Sequence, residues 1–168
     1  MEGRSEIIAA AHSARRRSIM SGWLNIRKER GDWMPVLDWT PDLEIGIYEI
    51  DLQHRSLVSM ANQLHDAIER DKGAQTIDWI LEELLLYTKM HFATEEKYMQ
   101  RYEHEESAQH KLQHGELLKA MKRFKRKMSA GDDVANELML FLQQWLGTHI
   151  TGSDRDLGKA YLAGNRTR

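Results

Sequence analysis

The stretch His91-Phe92-Ala93-Thr94-Glu95 lies within a long run of helix-forming residues and places a histidine and a carboxylate four residues apart. On an α-helix this spacing puts both side chains on one face, about 40° apart around the axis. Five further residues of the same kinds lie on or next to the apolar stripes of other predicted helices: His54, His110, His114, His149 and Asp154. Burying so many polar groups without partners would cost roughly 1–3 kcal/mol each, whereas a metal would use their lone pairs. The pattern therefore predicts a metal site between helices.

The composition limits the class of protein. The chain has 168 residues, a formal net charge of −2, two prolines and no cysteine. This length suits one domain with its own core, and the absence of cysteine excludes disulfides, thiolate metal sites and cysteine nucleophiles. No apolar run is long enough to span a membrane, and the charge does not favour nucleic acid as a partner. We expect a cytoplasmic, helical protein.

The periodicity of the apolar residues predicts an all-α fold, an up-down-up-down four-helix bundle with an additional N-terminal helix. The four core helices are predicted at approximately residues 50–70, 76–102, 106–128 and 133–152. We divide the chain into an N-terminal helical extension, residues 1–32, and the bundle domain, residues 33–168. The extension contains a predicted helix over residues 5–30, which could contact a protein partner. Residues 31–49 are predicted as a loop on one end of the bundle, with a strand possible at 43–47.

The set of candidate ligands favours two metal ions over one. Five imidazoles and two carboxylates without sulfur suit iron, manganese, zinc or copper. If each ion takes about six positions, two bridging carboxylates and one bridging oxide or hydroxide leave a single position open. An open position is what the reversible binding of a small diatomic molecule requires.

Asp154 is the candidate ligand with the least regular spacing. It follows His149 by five residues, which on a continuous α-helix corresponds to about 140° around the axis. The two side chains can converge only if the helix loosens or ends between them. Thr151-Gly152-Ser153 predicts such a change, because glycine tolerates the backbone conformations that unwinding needs.

Four segments together resemble the hemerythrin family, and in particular its bacterial branch. They are Asp-x-Gln-His at residues 51–54, His-Phe-Ala-Thr-Glu-Glu at 91–96, His-Lys-Leu-Gln-His at 110–114 and His-Ile-Thr-Gly-Ser-Asp at 149–154. The resemblance covers roughly residues 36–162. It implies a non-haem centre of two iron ions (Fe²⁺/Fe³⁺) bridged by oxide or hydroxide, with O₂ as the ligand. It also implies the ligand roles: His110, His114 and His149 on one iron, His54 and His91 on the open iron, and Glu95 and Asp154 as bridges.

Apolar residues that adjoin the candidate ligands are predicted to line the O₂ pocket and to exclude water from it. These residues are Leu57, Phe92, Trp145, Leu146 and Ile150. The same residues would also serve as ordinary bundle core, and the two roles are compatible. His12, His65 and His104 match no ligand position and are interpreted as surface residues.

The predicted function is reversible O₂ binding for oxygen storage, transport or sensing. One alternative is a sensor input module that signals through its terminal helix. A di-iron oxidase or peroxidase is the less favoured alternative, because such enzymes usually combine four carboxylates with two Glu-x-x-His motifs, and this chain has no such motif. We therefore do not expect an enzyme.

Overall fold

The computed structural model describes residues 37–166, and in that range the regular elements are all helices. The order is a 3₁₀ turn Pro41–Leu43, α1 Tyr48–Glu69, α2 Ala74–Arg101, α3 Ser107–Ser129, α4 Ala135–His149, a π-helical turn Ile150–Asp154 and α5 Arg155–Arg166. The predicted N-terminal helix and the boundary at residues 32–33 lie outside the described residues. Within that range, no helix has the length and apolar character needed to cross a lipid bilayer.

The four predicted core helices are confirmed as α1 to α4. Short connections join them, and helices joined so closely run antiparallel to their neighbours. Two of these connections turn at glycines with positive φ, Gly73 at 81° and Gly131 at 91°, a conformation that glycine adopts without steric cost. Helix α2 packs against α1 and α3, and α4 packs against the same two helices. The bundle interior is therefore bounded by all four.

The fourth helix differs from its prediction because it does not end near Gly152. The chain continues through the π-helical turn into α5, which packs back against α2. Gly152 was interpreted as a helix end, but a wider helical turn accommodates it without breaking the helix. As a result, the chain after the predicted site remains part of the bundle.

The predicted strand at residues 43–47 is wrong. A 3₁₀ turn ends at Leu43, and the segment that follows has no neighbouring strand in the described part of the chain. Its backbone is held instead by the buried Asp51 carboxylate, which accepts hydrogen bonds from the N–H groups of Ile45 (2.8 Å) and Gly46 (3.1 Å). This segment lies against α5, where the carbonyl oxygen of Ile45 faces Gly158.

Gly158 allows the closest approach between this loop and α5, so its substitution tests the packing. A methyl group at Gly158 would collide with the Ile45 carbonyl oxygen, and we expect Gly158→Ala to destabilise the protein by about 1–3 kcal/mol. Gly147, also helical, has nothing within 4 Å of an added Cβ. The matched variant Gly147→Ala should therefore be neutral or stabilise by up to about 1 kcal/mol. Urea unfolding measures both, and equal effects would contradict this packing.

Candidate metal centre

The seven candidate ligands meet at the centre of the bundle. His54 comes from α1, His91 and Glu95 from α2, His110 and His114 from α3, His149 from the end of α4, and Asp154 from the end of the π-helical turn. All seven are buried, with exposed fractions of 0–5%. Side chains from every helix of the bundle thus face one small volume.

Glu95 faces two separate sets of histidines with its two oxygens. Its Oε1 lies 3.5 Å from His54 Nε2 and 3.3 Å from His91 Nε2. Its Oε2 lies 3.7 Å from His110 Nε2 and 2.9 Å from His114 Nε2. The carboxylate therefore stands between two clusters of nitrogen atoms, with one oxygen toward each.

The two oxygens of Asp154 are also directed toward different histidines. Its Oδ2 lies 3.2 Å from His54 Nε2, whereas its Oδ1 lies 2.9 Å from His110 Nε2 and 3.1 Å from His149 Nε2. The ligand atoms fall into two overlapping groups, in each of which all atoms lie within 4.8 Å of one another. One group is Glu95, His110, His114, His149 and Asp154, and the other is His54, His91 and Glu95.

The π-helical turn explains how Asp154 reaches the site. A π turn closes hydrogen bonds from residue i to i+5, one residue more than an α-helix. It occupies residues 150–154, so the residue five positions after His149 lies on the same face as His149. This is the loosening that the spacing of these two residues predicted.

The polar atoms of the site fit metal ions rather than hydrogen bonding among themselves. None of the four carboxylate oxygens of Glu95 and Asp154 accepts a hydrogen bond within the described residues. Three ring nitrogens also crowd together, since His149 Nε2 lies 3.0 Å from His110 Nε2 and 3.1 Å from His114 Nε2. Nitrogen lone pairs at such distances repel unless a proton or a cation lies between them. Imidazole and carboxylate ligands without sulfur suit iron.

The surroundings of two candidate ligand histidines favour their neutral form. Burial, together with the nearby His54, lowers the pKa of His91 to about 3. Burial and the adjacent His110 and His149 lower the pKa of His114 to about 2. Both imidazoles are therefore neutral near pH 7 and have a lone pair free for a metal.

His54 and the two carboxylates shift the pKa values of one another. Burial by itself would lower the pKa of His54, but the carboxylates of Asp154 and Glu95, 3.2 and 3.5 Å from its Nε2, raise it to about 9. Burial and the neighbouring Asp154 raise the pKa of Glu95 well above its usual value. The pKa of Asp154 is lowered despite burial, because His149, His110 and His54 surround it. A metal ion that binds at His54 must therefore displace a proton.

Two glutamines orient candidate ligand histidines, and the sequence analysis did not predict this role. Gln53 Oε1 lies 3.1 Å from His91 Nδ1, and Gln113 Oε1 lies 2.9 Å from His149 Nδ1. Because an amide oxygen can only accept, each ring must donate from Nδ1 and present the lone pair of Nε2 to the centre. Each glutamine directly precedes another candidate ligand in the sequence, and this repeated Gln-His pair was the available signal.

Hydrogen bonds extend from both glutamines to a neighbouring hydroxyl group. Gln113 Oε1 also accepts a hydrogen bond from Ser153 Oγ at 2.8 Å, which ties α3 to the π-helical turn. Gln53 Nε2 donates to Thr94 Oγ1 at 3.3 Å and so ties α1 to α2. These bonds fix the amide groups, and the amide groups fix the imidazole rings.

The five predicted pocket residues line one cavity together with four of the candidate ligands. The predicted residues are Leu57, Phe92, Trp145, Leu146 and Ile150, and the ligands are His54, His91, His149 and Asp154. Two rings stack on ligand imidazoles: Phe92 on His114 with centroids 3.6 Å apart, and Trp145 on His149 at 4.1 Å. The cavity extends away from the centre along further residues that were not predicted: Leu84, Thr88, Leu117, Met121 and Leu142.

The interpretation of His104 as a surface residue is wrong, because this residue is only 9% exposed. The chain after α2 turns back at Glu103, with φ of 47°, and the His104 N–H donates to the Met99 carbonyl at 3.0 Å. This turn places the His104 ring 6.1 Å from that of His110. His65 is partly buried, with 16% of its side chain exposed, and His12 lies outside the described residues.

The comparison with known proteins identifies the class to which this fold and site belong. The family model of the hemerythrin HHE cation binding domain matches residues 45–161, and the chain belongs to the hemerythrin family. The bacteriohemerythrin of Stenotrophomonas maltophilia is 36% identical over 132 residues, which cover 77% of this chain and 86% of that protein. The bacteriohemerythrin of Pseudomonas aeruginosa strain LESB58 is 39% identical over 121 residues, 72% of this chain and 78% of that protein.

Solved structures agree with the sequence relatives. The crystal structure of wild-type hemerythrin superimposes with a TM-score of 0.68 and 29% identity, and the match covers 74% of this chain and 96% of that chain. A tyrosine-for-leucine mutant of hemerythrin gives a TM-score of 0.70 at the same identity, covering 76% of this chain and 98% of that chain. The resemblance to the bacterial branch is confirmed by these relatives.

The role of the glutamines can be tested by metal retention. We expect Gln113→Leu to weaken metal binding by about 10- to 100-fold, because the His149 ring loses the acceptor that fixes it. Competition with a chelator measures this change. The control Gln109→Leu alters an exposed glutamine on the same helix and should bind metal as the unchanged protein does. Equal retention in both variants would show that Gln113 does not orient a ligand.

The metal-free protein should have a stability maximum near pH 6.5. The pKa of His54 rises on folding from 6.5 to about 9, so its stabilising contribution is complete below about 6.5 and is lost as the pH rises through about 9. His91 and His114 have folded pKa values of about 3 and about 2, so their contribution is complete above about 6.5 and is lost at lower pH. Urea unfolding across this range tests both signs. A His54→Gln variant whose stability falls between pH 6.5 and 9 as steeply as that of the unchanged protein would contradict the first.

Proposed function

We propose that this protein binds O₂ reversibly at a non-haem di-iron centre and serves oxygen storage, transport or sensing. The single observation that supports this most strongly is the division of both carboxylates, since one oxygen of Glu95 and one of Asp154 faces each set of histidines. Two carboxylates placed in this way suit a pair of cations better than one. The membership in the hemerythrin family supports iron as the metal.

The proposed ligand assignment follows the two groups. His110, His114 and His149 would hold one iron, and His54 and His91 would hold the other. Glu95 and Asp154 would bridge the pair, with an oxide or hydroxide as a further bridge. The second iron would then have one ligand fewer from the protein, and the iron pair, when bound, supplies that open position and the electrons that O₂ binding uses.

The residues around the open side control what reaches it. The cavity touches His54 and His91 and is bounded by Leu57, Leu146 and Ile150, which are 1–7% exposed. These side chains offer no hydrogen bond to water or to an ion, so they favour a small apolar guest. Exclusion of water and protons from this side would slow the irreversible oxidation of the centre.

The ligand chemistry favours a carrier over an enzyme. Oxygen-activating four-helix di-iron proteins use four carboxylates at the metals, whereas two carboxylates and five histidines meet here. Neutral imidazoles donate less negative charge than carboxylates and stabilise highly oxidised iron less well. We therefore propose a binding function without catalysis.

The other predictions concern the whole chain. The sensor alternative and the contact with a protein partner depend on residues 5–30, which lie outside the described residues. The cytoplasmic location and the absence of a nucleic-acid partner follow from composition and stay predictions. No contact in the described range favours any of them over simple O₂ carriage.

Optical spectroscopy of the iron-loaded protein tests the proposed function. O₂ added to the anaerobically reduced protein should produce a visible absorption band that disappears when O₂ is removed, over repeated cycles. This reversal is expected because the apolar cavity keeps protons and solvent from the open iron. A spectrum that bleaches irreversibly while a substrate is turned over would instead indicate an oxidase.

A single hydroxyl group in the cavity should shorten the life of the O₂-binding form. Ile150→Thr keeps the branch at Cβ but shortens the side chain by one carbon and places a hydroxyl group where Ile150 is 1% exposed, and such a group would attract water. We expect severalfold faster loss of the visible band during incubation in air. The control Leu140→Thr changes a residue that is 47% exposed and should leave the rate unchanged. Equal rates in the two variants would contradict the water-excluding role.

A further inference from the structure

The outward face of α2 carries a row of exposed apolar side chains. Trp79 is 63% exposed, Leu86 49% and Met90 43%, and separations of seven and four residues place them along one side of the helix. The opposite side of α2 holds buried core residues such as Leu81, Leu84 and Leu85. The inner side of α2 packs in the bundle, so the exposed apolar row on its outer side indicates a surface that contacts another protein.

The row belongs to a longer regular pattern. Positions separated alternately by four and three residues are all exposed along the helix: Trp79, Glu83, Leu86, Met90, Ala93, Lys97 and Gln100. This is the spacing of the seam along which two helices pack in a coiled coil. From Trp79 to Lys97 the seam extends about 27 Å, at 1.5 Å per residue. We call these seven residues the α2 seam.

The charges of the α2 seam select the partner. Glu83 lies in its first half and Lys97 in its second half, and neither forms an ion pair within the part of the chain that the structure describes. Fourteen residues, about 21 Å of helix, separate them, so they cannot reach each other within one copy. In an antiparallel pair of seams with its two-fold axis between Leu86 and Met90, Glu83 of each copy lies opposite Ala93 of the other, one helical turn from Lys97. The long Lys97 side chain spans that turn toward Glu83.

The antiparallel arrangement also gives the apolar residues of the seam suitable neighbours in the second copy. A two-fold axis between Leu86 and Met90 pairs each of these residues with the other in the second copy. The Trp79 ring then lies beside Lys97 of the second copy, which suits a cation–π contact. In a parallel arrangement Glu83 would face Glu83 and Lys97 would face Lys97, and like charges disfavour it. The seam is therefore complementary to itself in one direction only.

We propose that two copies of this protein form a two-fold symmetric dimer by antiparallel packing of their α2 seams. Such an interface uses the same patch on both copies. An unrelated apolar partner would cover Trp79, Leu86 and Met90 but would not account for the order of Glu83 and Lys97. The dimer does not depend on the function proposed for the metal centre.

Sedimentation of the full chain over a range of concentrations tests the proposal. The unchanged protein should sediment as a dimer that dissociates on dilution, and Leu86→Glu should weaken the dimer by about tenfold or more, because it buries a charge at the centre of the interface. The control Leu140→Glu introduces the same charge at an exposed leucine of α4 and should leave the dimer unchanged. Circular dichroism confirms that both variants keep their helices.

A charge exchange determines the direction of packing. Glu83→Lys alone and Lys97→Glu alone should each weaken the dimer, because each sets like charges against one another at both ends of the interface. The double variant restores opposite charges and should recover part of the lost affinity, because it does not restore the cation–π contact between Trp79 and Lys97. A monomer at all concentrations would overturn the proposal, as would a dimer insensitive to Leu86→Glu. Single charge variants that the double variant does not rescue would overturn the antiparallel seam.

Discussion

The structure depends on the burial of two carboxylates, Glu95 and Asp154, in the centre of a helical bundle. Both are 0% exposed and neither accepts a hydrogen bond within the described residues. A buried carboxylate costs several kcal/mol unless opposite charge compensates it. His91 and His114 supply no such charge near pH 7, because burial lowers their pKa values. Cations between the carboxylates and the rings would remove this penalty. We therefore expect metal binding and folding to be coupled.

The irregular backbone next to the site is the π-helical turn that places Asp154 in the bundle interior. The π-helical turn brings Asp154 to the same face as His149, and irregular turns of this kind occur often at functional sites. Ser153 within that turn donates to Gln113, so the hydrogen bond that orients His149 also secures the turn. Beyond it, Gly158 allows the loop before α1 to approach α5 closely. The end of the bundle is thus built around one irregular turn.

The sequence predicted most of the site because its signals are local. Residues four apart, such as His91 and Glu95, must share a helical face, and their positions on apolar stripes predicted burial. The five-residue spacing between His149 and Asp154 would place Asp154 on another face of a regular α-helix. A loosened turn between them could therefore be predicted from this spacing alone. The class of fold followed from the periodicity of four segments and from the short connections between them, which leave few topologies open.

The features that the sequence did not predict depend on contacts between distant segments. Gln53 and Gln113 each orient a histidine on another helix, and no spacing along one helix reveals such a pair. His104 is buried because the chain turns back after α2, and α5 continues where glycine suggested an end. The segment over residues 43–47 has strand-like composition, but a strand needs a neighbour, and Asp51 satisfies its backbone instead.

An anomalous difference map from crystals of the iron-loaded protein, measured at the iron absorption edge, tests the central claim most directly. We predict two peaks per chain inside the bundle, one within ligand distance of His54 and His91 and the other of His110, His114 and His149. Both peaks should lie beside Glu95 and Asp154, about 3–4 Å from each other. A single peak, or iron bound at surface carboxylates while these histidines stay unligated, would contradict the account.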